Sequence, residues 1–201
     1  MSVDLERLQQ VYKTTLEMLK DRGYAMKSHF KKDVPILPSN EQLLEMYNEN
    51  NCKMVVSKNK KETTTVYFYW SKVGVNEVKD LFTTLQEDGV NHVILVTNEH
   101  LTSYATKEMK LLGKNMEKEI FYFNQLAFNI TKHHIVPKHE LLNEKETKLF
   151  VKNIGKKIPH ILTTDPVCRY FNGKPDQIFR IYRKHEITYR IVVLSTVDKK
   201  N

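Results

Sequence analysis

Residues 158–193 have the sequence IPHILTTDPVCRYFNGKPDQIFRIYRKHEITYRIVV, and this stretch decides the fold of the C-terminal third of the chain. Two β-rich runs, 178–184 and 187–194, are split by two polar residues, which predicts an antiparallel hairpin. Upstream, Asp165-Pro166 predicts a turn or short helix, because proline is permitted at the first helical position. Along the second run, strand alternation places Tyr189 and Arg190 on opposite faces.

The pattern changes on moving upstream from this stretch. The capping box Asn143-x-x-Glu146 predicts a short helix. Before it, strands and helices alternate over residues 64–123, which indicates an α/β layer arrangement. We therefore predict an α/β N-terminal domain, residues 1–131, followed by a small α+β C-terminal domain, residues 132–201. Predicted strands of the first domain are 53–57, 64–70, 92–97 and 119–123, and predicted helices include 3–20, 41–49 and 102–112.

Four adjacent aromatic residues, from Tyr67 to Trp70, lie on one predicted strand. Rings in such a row can stack on bases in a protein that binds single-stranded nucleic acid. Basic residues do not interleave with these rings, so the pattern favours packing in the core.

Composition restricts the class of protein. The 201 residues are 40% apolar and 28% charged, which is typical of a chain with a packed core. No stretch approaches the roughly 20 apolar residues of a membrane span. The N-terminal segment has acidic residues and no apolar run, so we expect no secretory signal and an intracellular location. Cys52 and Cys168 lack the spacing of a zinc site and are predicted to be reduced, buried thiols.

The excess of basic residues lies at the end of the chain. Residues 1–131 hold 17 basic and 17 acidic side chains, whereas residues 132–201 hold 15 basic and 7 acidic, which accounts for the net charge of +8. A basic block favours binding to nucleic acid or to an acidic protein surface. A solvated basic face without a partner explains the charge alone equally well.

Motifs of common enzyme classes are absent from the sequence. The chain contains no GxxxxGK[ST], GxGxxG or GxSxG pattern. His133-His134 is a poor metal site, since neighbouring residues on a strand point to opposite faces. Glu144, Glu146 and Lys148 approach a nuclease-like acidic-x-Lys pattern, but carboxylates in the first turn of a helix are favoured by its dipole. We predict no catalytic, cofactor-binding or metal-binding residues, and a metal-dependent nuclease is the least favoured class.

A specific resemblance is carried by the C-terminal motifs. Asp165-Pro-Val-x-Arg169-Tyr170, the preceding Ile158-Pro-x-Ile161, and Thr188-Tyr-Arg190 occur in this order. His134-Ile-Val-Pro-Lys-His139 precedes them. Together these motifs resemble the assembly domain of the fifth-largest subunit, which eukaryotic RNA polymerases I, II and III share and which has a shorter archaeal homologue. The resemblance implies the same small C-terminal fold.

The N-terminal part is similar to the same family, more weakly. Asp21-Arg-Gly-Tyr24, Lys72-Val-Gly-Val75 and Asn129-Ile-Thr131 occur in matching order, so the resemblance covers nearly the whole chain. Archaeal members have only the C-terminal domain, which makes this chain the eukaryotic type or a viral version of it. The sequence departs from the family at Thr164, where a glycine is usual, and in 102–105, which reads Thr-Ser-Tyr-Ala instead of Thr-Pro-Ser-Ala.

The resemblance implies two functional regions and no catalytic role. The C-terminal domain is expected to dock on the largest polymerase subunit, and the N-terminal jaw is expected to face downstream duplex DNA. The predicted docking and assembly residues, which serve docking or hold the domain together, are Pro137, His139, Pro159, Asp165, Pro166, Val167, Arg169, Tyr170, Tyr189 and Arg190. The predicted DNA-proximal jaw residues are Asn98, His100, Thr102, Ser103 and Lys107.

The expected partners follow from this assignment. They are the largest subunit, other polymerase subunits, and downstream DNA bound weakly and without sequence specificity, with no membrane and no cofactor. The location is the nucleus for a cellular chain, and a cytoplasmic viral factory or virion for a viral one. The alternative is a free-standing basic DNA-binding transcription accessory protein, which predicts stable DNA binding with a steep salt dependence.

Overall fold

A computed structural model describes residues 4–25, 38–48, 52–58, 62–113 and 115–195. The chain forms two units, Met1–Phe128 and Asn129–Asn201. The division falls slightly before the predicted one at 131/132, because the 3-10 turn Ile130–Lys132 packs with the second unit. No helix in the described ranges is long and apolar enough to cross a membrane.

The first unit begins with a long amphipathic helix, which the Asp4 carboxylate caps by accepting a hydrogen bond from the amide of Arg7. Strands and helices then alternate. The bounds are α1 (Leu5–Asp21), α2 (Asn40–Asn48), β1 (Cys52–Ser57), β2 (Thr63–Tyr69), α3 (Val75–Glu87), β3 (His92–Thr97), α4 (Ser103–Leu111), β4 (Glu117–Tyr122) and α5 (Phe123–Leu126).

These strands form one mixed sheet in the order β1-β2-β3-β4. The strands β1 and β2 pair antiparallel, while β2, β3 and β4 run parallel and are connected through α3 and α4. Every residue of β3 is buried, as expected for a central parallel strand with both faces covered. The α/β prediction for this region is confirmed.

Helices cover both faces of the first sheet. On one face, α3 and α4 pack Phe82 and Met109 against alternating sheet residues that include Tyr67 and Leu95. On the other face, Tyr12 of α1 stacks on Phe68 at 5.2 Å between ring centroids. The side chains of Tyr67, Phe68 and Trp70 are all less than 9% exposed, which confirms that the aromatic run packs in the core.

The second unit is a four-stranded sheet with one helix on each face. Its elements are β5 (Lys138–Leu141), α6 (Glu144–Asn153), β6 (His160–Leu162), α7 (Pro166–Tyr170), β7 (Ile178–Tyr182) and β8 (Ile187–Val193). The strand order is β5-β7-β8-β6, with β7 and β8 forming the predicted antiparallel hairpin. The hairpin and the capping box of α6 are confirmed, whereas β5 and β6 were not predicted.

Side chains from both faces of this sheet form two small clusters. Phe179 and Ile181 point towards α7 and pack with Cys168. Ile178 and Ile191 point the other way and pack with Phe150 of α6 and with Leu142. Cys168 is a free, buried thiol as predicted, while the side chain of Cys52 lies outside the described residues.

Candidate functional site

The Asp-Pro-Val motif builds the start of helix α7. The Asp165 carboxylate accepts hydrogen bonds from the amides of Val167, at 2.8 Å, and Cys168, at 3.3 Å. Pro166 occupies the first turn, where its missing N–H leaves no donor unsatisfied. These interactions stabilise the short helix on the sheet, so Asp165 and Pro166 have a structural role.

Three neighbouring residues of the motif lie in the core. Val167, Cys168 and Tyr170 are almost fully buried. The Tyr170 hydroxyl accepts a hydrogen bond of 3.0 Å from the Asn129 side-chain amide, which joins α7 to the start of the unit. Burial raises the pKa of the Cys168 thiol to about 12, so this cysteine stays protonated and unreactive.

The remaining predicted docking residues divide between two faces of the sheet. His139 and Arg190 lie on the α7 face, since they pair with Ile181 and Phe179 of β7. Tyr189 lies on the opposite face, where its ring is 4.5 Å from that of Phe150. The alternation predicted for Tyr189 and Arg190 is confirmed, and the two residues cannot belong to one contact patch on a single face.

His139 is held in a defined orientation. Its Nδ1 lies 2.7 Å from the carbonyl oxygen of Pro137 and therefore carries the proton. Partial burial lowers the pKa of His139, and the positive charges of Arg190 and Arg183 act in the same direction. The His139 ring is therefore neutral, and its Nε2 atom can accept a hydrogen bond.

A polar cluster on the α6 face was missed by sequence reasoning. The Arg180 guanidinium lies 3.3 Å from Glu140 and 3.8 Å from Glu146, and the Tyr182 hydroxyl donates to Glu140. The hydrogen bond from Tyr182, together with Arg180, lowers the pKa of Glu140. These residues come from β5, α6 and β7, so only the pairing of the unpredicted strand β5 could have revealed the cluster.

The predicted DNA-proximal residues follow the carboxyl end of β3. In open α/β sheets this edge is the usual place for ligands. Thr102 caps α4 by accepting a hydrogen bond of 3.1 Å from the Ala105 amide, and the His100 ring lies 4.1 Å from that of Tyr122. Asn98, Ser103 and Lys107 are exposed. The structure therefore brings the five residues to one end of the unit.

An exposed aromatic residue beside this loop was missed. Tyr104 is 75% exposed, and the Lys107 ammonium lies 5.9 Å from its ring centroid. The sequence signal was present, because Tyr104 stands where the resembling family has a small residue. The structure therefore leaves a large aromatic ring exposed beside the loop.

A buried ionic cluster connects α1 to the sheet of the first unit. Arg22 donates to both carboxylate oxygens of Glu119, at 2.7 and 2.8 Å, and His92 Nε2 lies 2.8 Å from the same carboxylate. Thr64 extends the network from the other ring nitrogen of His92 to the hydroxyl of Tyr24. Burial raises the pKa of Glu119, but Arg22 and His92 outweigh it and lower the pKa to about 2.

Ligand atoms of His92, Glu117 and Glu119 lie within 4.8 Å of one another, which is close enough for a metal site. The Arg22 guanidinium already occupies both oxygens of Glu119. A cation would have to displace this positive charge, so the donor set fits an ion-pair network better than a metal centre.

The low pKa of Glu119 predicts how the stability of the first unit changes in acid. Its pKa is about 2 in the folded chain and 4.5 when unperturbed, so the unfolded state binds the proton more tightly. The stabilisation is complete above about pH 4.5 and is lost as the pH falls towards 2. We expect denaturant unfolding of the chain to show this loss, and Glu119→Gln to flatten the same part of the profile. An unchanged slope in Glu119→Gln would contradict the role of this carboxylate.

Comparison with protein families assigns both units. A family model described as RNA polymerase Rpb5, N-terminal domain, matches residues 2–85, and one described as RNA polymerase Rpb5, C-terminal domain, matches residues 128–197. The two matches place this chain, with its α/β unit and its small α+β unit, in the class of two-domain RNA polymerase subunits.

Relatives match over nearly the full chain. The chain is 30% identical to DNA-directed RNA polymerases I, II, and III subunit rpabc1 of Dictyostelium discoideum, with 94% of this chain and 99% of the relative covered. It is 28% identical to DNA-directed RNA polymerases IV and V subunit 5B of Arabidopsis thaliana, with 95% and 92% covered. The chain belongs to the RNA polymerase Rpb5 family, which confirms the resemblance seen in its motifs.

Proposed function

We propose that the chain is a non-catalytic subunit of a multisubunit DNA-dependent RNA polymerase. In this proposal the second unit docks on the largest subunit, and the first unit helps to position downstream duplex DNA. Membership of the Rpb5 family across both units is the observation that carries it. The lowered pKa of Glu119 belongs to a structural network with Arg22 and His92.

The α7 face of the second unit supports docking through charge. Arg190 lies on this face, and Arg169 lies on α7 itself. Residues 132–201 carry the whole net charge of the chain, +8. A basic patch on a rigid sheet matches an acidic protein surface, for which complementarity gives specificity and a high association rate.

The docking test is co-assembly with the largest subunit. Arg190→Glu is expected to reduce recovery of the complex by about tenfold or more, because a like charge then faces the acidic partner. The matched control is Lys13→Glu in α1, which makes the same charge change in the first unit. Both variants should retain the wild-type melting temperature. Equal recovery of Arg190→Glu and wild type would refute docking through this face.

The loop at the end of β3 supports a weak contact with DNA. The first 131 residues carry no net charge, and non-specific affinity grows with the number of phosphates neutralised. Lys107 and the exposed Ser103, in the first turns of α4, offer a cation and polar donors to phosphate. A few contacts suit a subunit that guides DNA within an assembly.

The DNA contact predicts a selective loss of crosslinking. In the assembled polymerase, Lys107→Glu is expected to weaken downstream DNA crosslinking and to lower the salt dependence by about one phosphate contact. Assembly should be unchanged, because Thr102 still caps α4. Lys13→Glu serves again as the control. Unchanged crosslinking in Lys107→Glu would remove Lys107 from the DNA path.

The location of the chain depends on whether its polymerase is cellular or viral. A cellular chain acts in the nucleus under this proposal, and a viral one in a cytoplasmic factory or the virion. A free-standing DNA-binding protein would instead bind DNA tightly as an isolated chain, with a steep salt dependence. Tight association with the largest subunit together with weak DNA binding by the isolated chain distinguishes the two.

A further inference from the structure

The outer side of helix α4 carries an apolar stripe that the proposed function does not use. Tyr104 is 75% exposed and Leu111 is 63% exposed. Leu111 follows Tyr104 by seven positions, close to two helical turns, so both side chains lie on one side of the helix about 10 Å apart. Large apolar side chains exposed in this arrangement are typical of contact surfaces.

The stripe is held rigidly. Thr102 caps the start of α4, and the Lys118 ammonium donates to the carbonyl oxygens of Met109, at 2.7 Å, and Leu112, at 2.6 Å, at its end. The inner side of the helix, with Ala105 and Met109, is buried against the core. The helix backbone that carries Tyr104 and Leu111 is therefore held in place, which limits the backbone entropy lost on binding.

Most of the charged side chains near the stripe are positive. Lys107 lies between the two apolar residues along the helix, and its ammonium is 5.9 Å from the centroid of the Tyr104 ring. Lys110 follows Lys107 by three positions and lies on the adjoining part of the helix surface. The one acidic residue of α4, Glu108, lies 3.8 Å from Lys79 of the adjacent helix α3. Glu108 flanks the stripe on the side opposite Lys107, and its charge is paired with that of Lys79. With Lys79, Lys107 and Lys110 against Glu108, the face that a partner meets is apolar with a net positive charge at its border.

We propose that this face, formed by Tyr104, Lys107, Lys110 and Leu111, binds an acidic segment of another protein that carries aliphatic side chains. The aliphatic groups contact Tyr104 and Leu111, and the carboxylates meet the lysines. Tyrosine in a preorganised position is typical of residues that dominate interface energies.

Two other occupants fit the face less well. A second copy would bring the net positive charge of this face against an equal charge, and this like-charge contact is unfavourable. Duplex DNA gains affinity through phosphate contacts, to which Leu111 adds nothing. The interface is short and its contacts few, so we expect a transient complex rather than a permanent one.

The test uses the full chain and a dye-labelled helical peptide made of glutamate, leucine and alanine, with leucines on one face. A second peptide replaces every leucine with alanine at the same charge. Leu111→Ser and Tyr104→Ser are each expected to weaken the leucine peptide about tenfold, the effect of one large apolar contact, while leaving the alanine peptide unchanged. Lys107→Glu with Lys110→Glu should weaken both peptides.

Leu149→Ser in α6 is the matched control, because Leu149 is 59% exposed and lies among lysines in the other unit. Thermal melting of each variant should match wild type, since the replaced side chains are exposed. Equal loss with Leu149→Ser, or no loss with Leu111→Ser, would overturn the proposal. So would self-association that Leu111→Ser abolishes, or binding of a DNA duplex that Leu111→Ser weakens. Downstream crosslinking that is unchanged in Leu111→Ser separates this face from the DNA contact.

Discussion

Replacing Arg22 with methionine is expected to lower the free energy of unfolding of the first unit by about 3–5 kcal/mol, the usual effect of breaking a buried ion pair. Arg22 is 4% exposed and Glu119 is 12% exposed at the side chain, so the remaining carboxylate would stay away from water. Among the described residues of this network, His92 is then the remaining hydrogen-bond partner of the Glu119 carboxylate. The cost arises mainly from the uncompensated charge of Glu119.

Two further variants separate this cause from general damage to the core. Arg22→Met combined with Glu119→Met removes both charges and should recover much of the stability, because an apolar pair of similar volume is often as stable as a buried ion pair. Lys53→Met breaks the exposed ion pair with Asp88 and should cost about 1 kcal/mol or less.

The measurement is hydrogen exchange of the β3 amides in the full chain, with denaturant unfolding as the global measure. The β3 amides lie in a fully buried strand inside the first sheet, so their exchange reports the stability of the first unit. A loss in Arg22→Met as small as that in Lys53→Met would show that Glu119 is solvated. A double variant less stable than Arg22→Met would show that packing, and not charge, explains the loss.

Phe179→Ala is expected to lower the free energy of unfolding of the second unit by about 3–5 kcal/mol. Phe179 is fully buried, and its ring lies 6.0 Å from those of both His139 and Phe171. A unit of about 70 residues has a core that supplies little more than this amount. The variant should therefore leave the second unit largely unfolded and the first unit intact.

The same residue provides a graded series. Phe179→Leu should cost less, because leucine leaves a smaller cavity. Leu162→Ala in β6 is a control for an exposed apolar residue of the same unit, since Leu162 is 47% exposed. Hydrogen exchange at β7 and β3 in one sample reports each unit. Loss of protection at β3 equal to that at β7 would contradict the expected confinement of the effect to the second unit.

Local patterns predicted much of the fold. The hairpin of β7 and β8, the capping box of α6 and the alternation of strands with helices follow from neighbouring residues. The strands β5 and β6 were missed because they are short and most of their residues are at least partly exposed. They are strands only because β5 pairs with β7 and β6 pairs with β8. Their placement is a long-range effect that local sequence does not contain.

Some residues of the candidate site were predicted and others were missed, again because long-range contacts determine their roles. The Asp165 to Tyr170 motif was found, but its role in the core became clear from the hydrogen bond to Asn129, 41 positions away. The cluster of Arg22, His92 and Glu119 joins three separate elements, and nothing in each local segment indicates it. The exposure of Tyr104 and Leu111 required the orientation of α4, which the buried Ala105 and Met109 determine.

The ion pair between Arg22 and Glu119 spans 97 positions of the chain. During synthesis on the ribosome, the N-terminal helix is made early, but its charged partner emerges after every other strand of that sheet. Contacts so distant in sequence form slowly, because a long loop must close first. The first unit cannot complete its sheet until its last strand has left the ribosome, and in that interval its exposed apolar surface and unpaired strand edges favour aggregation.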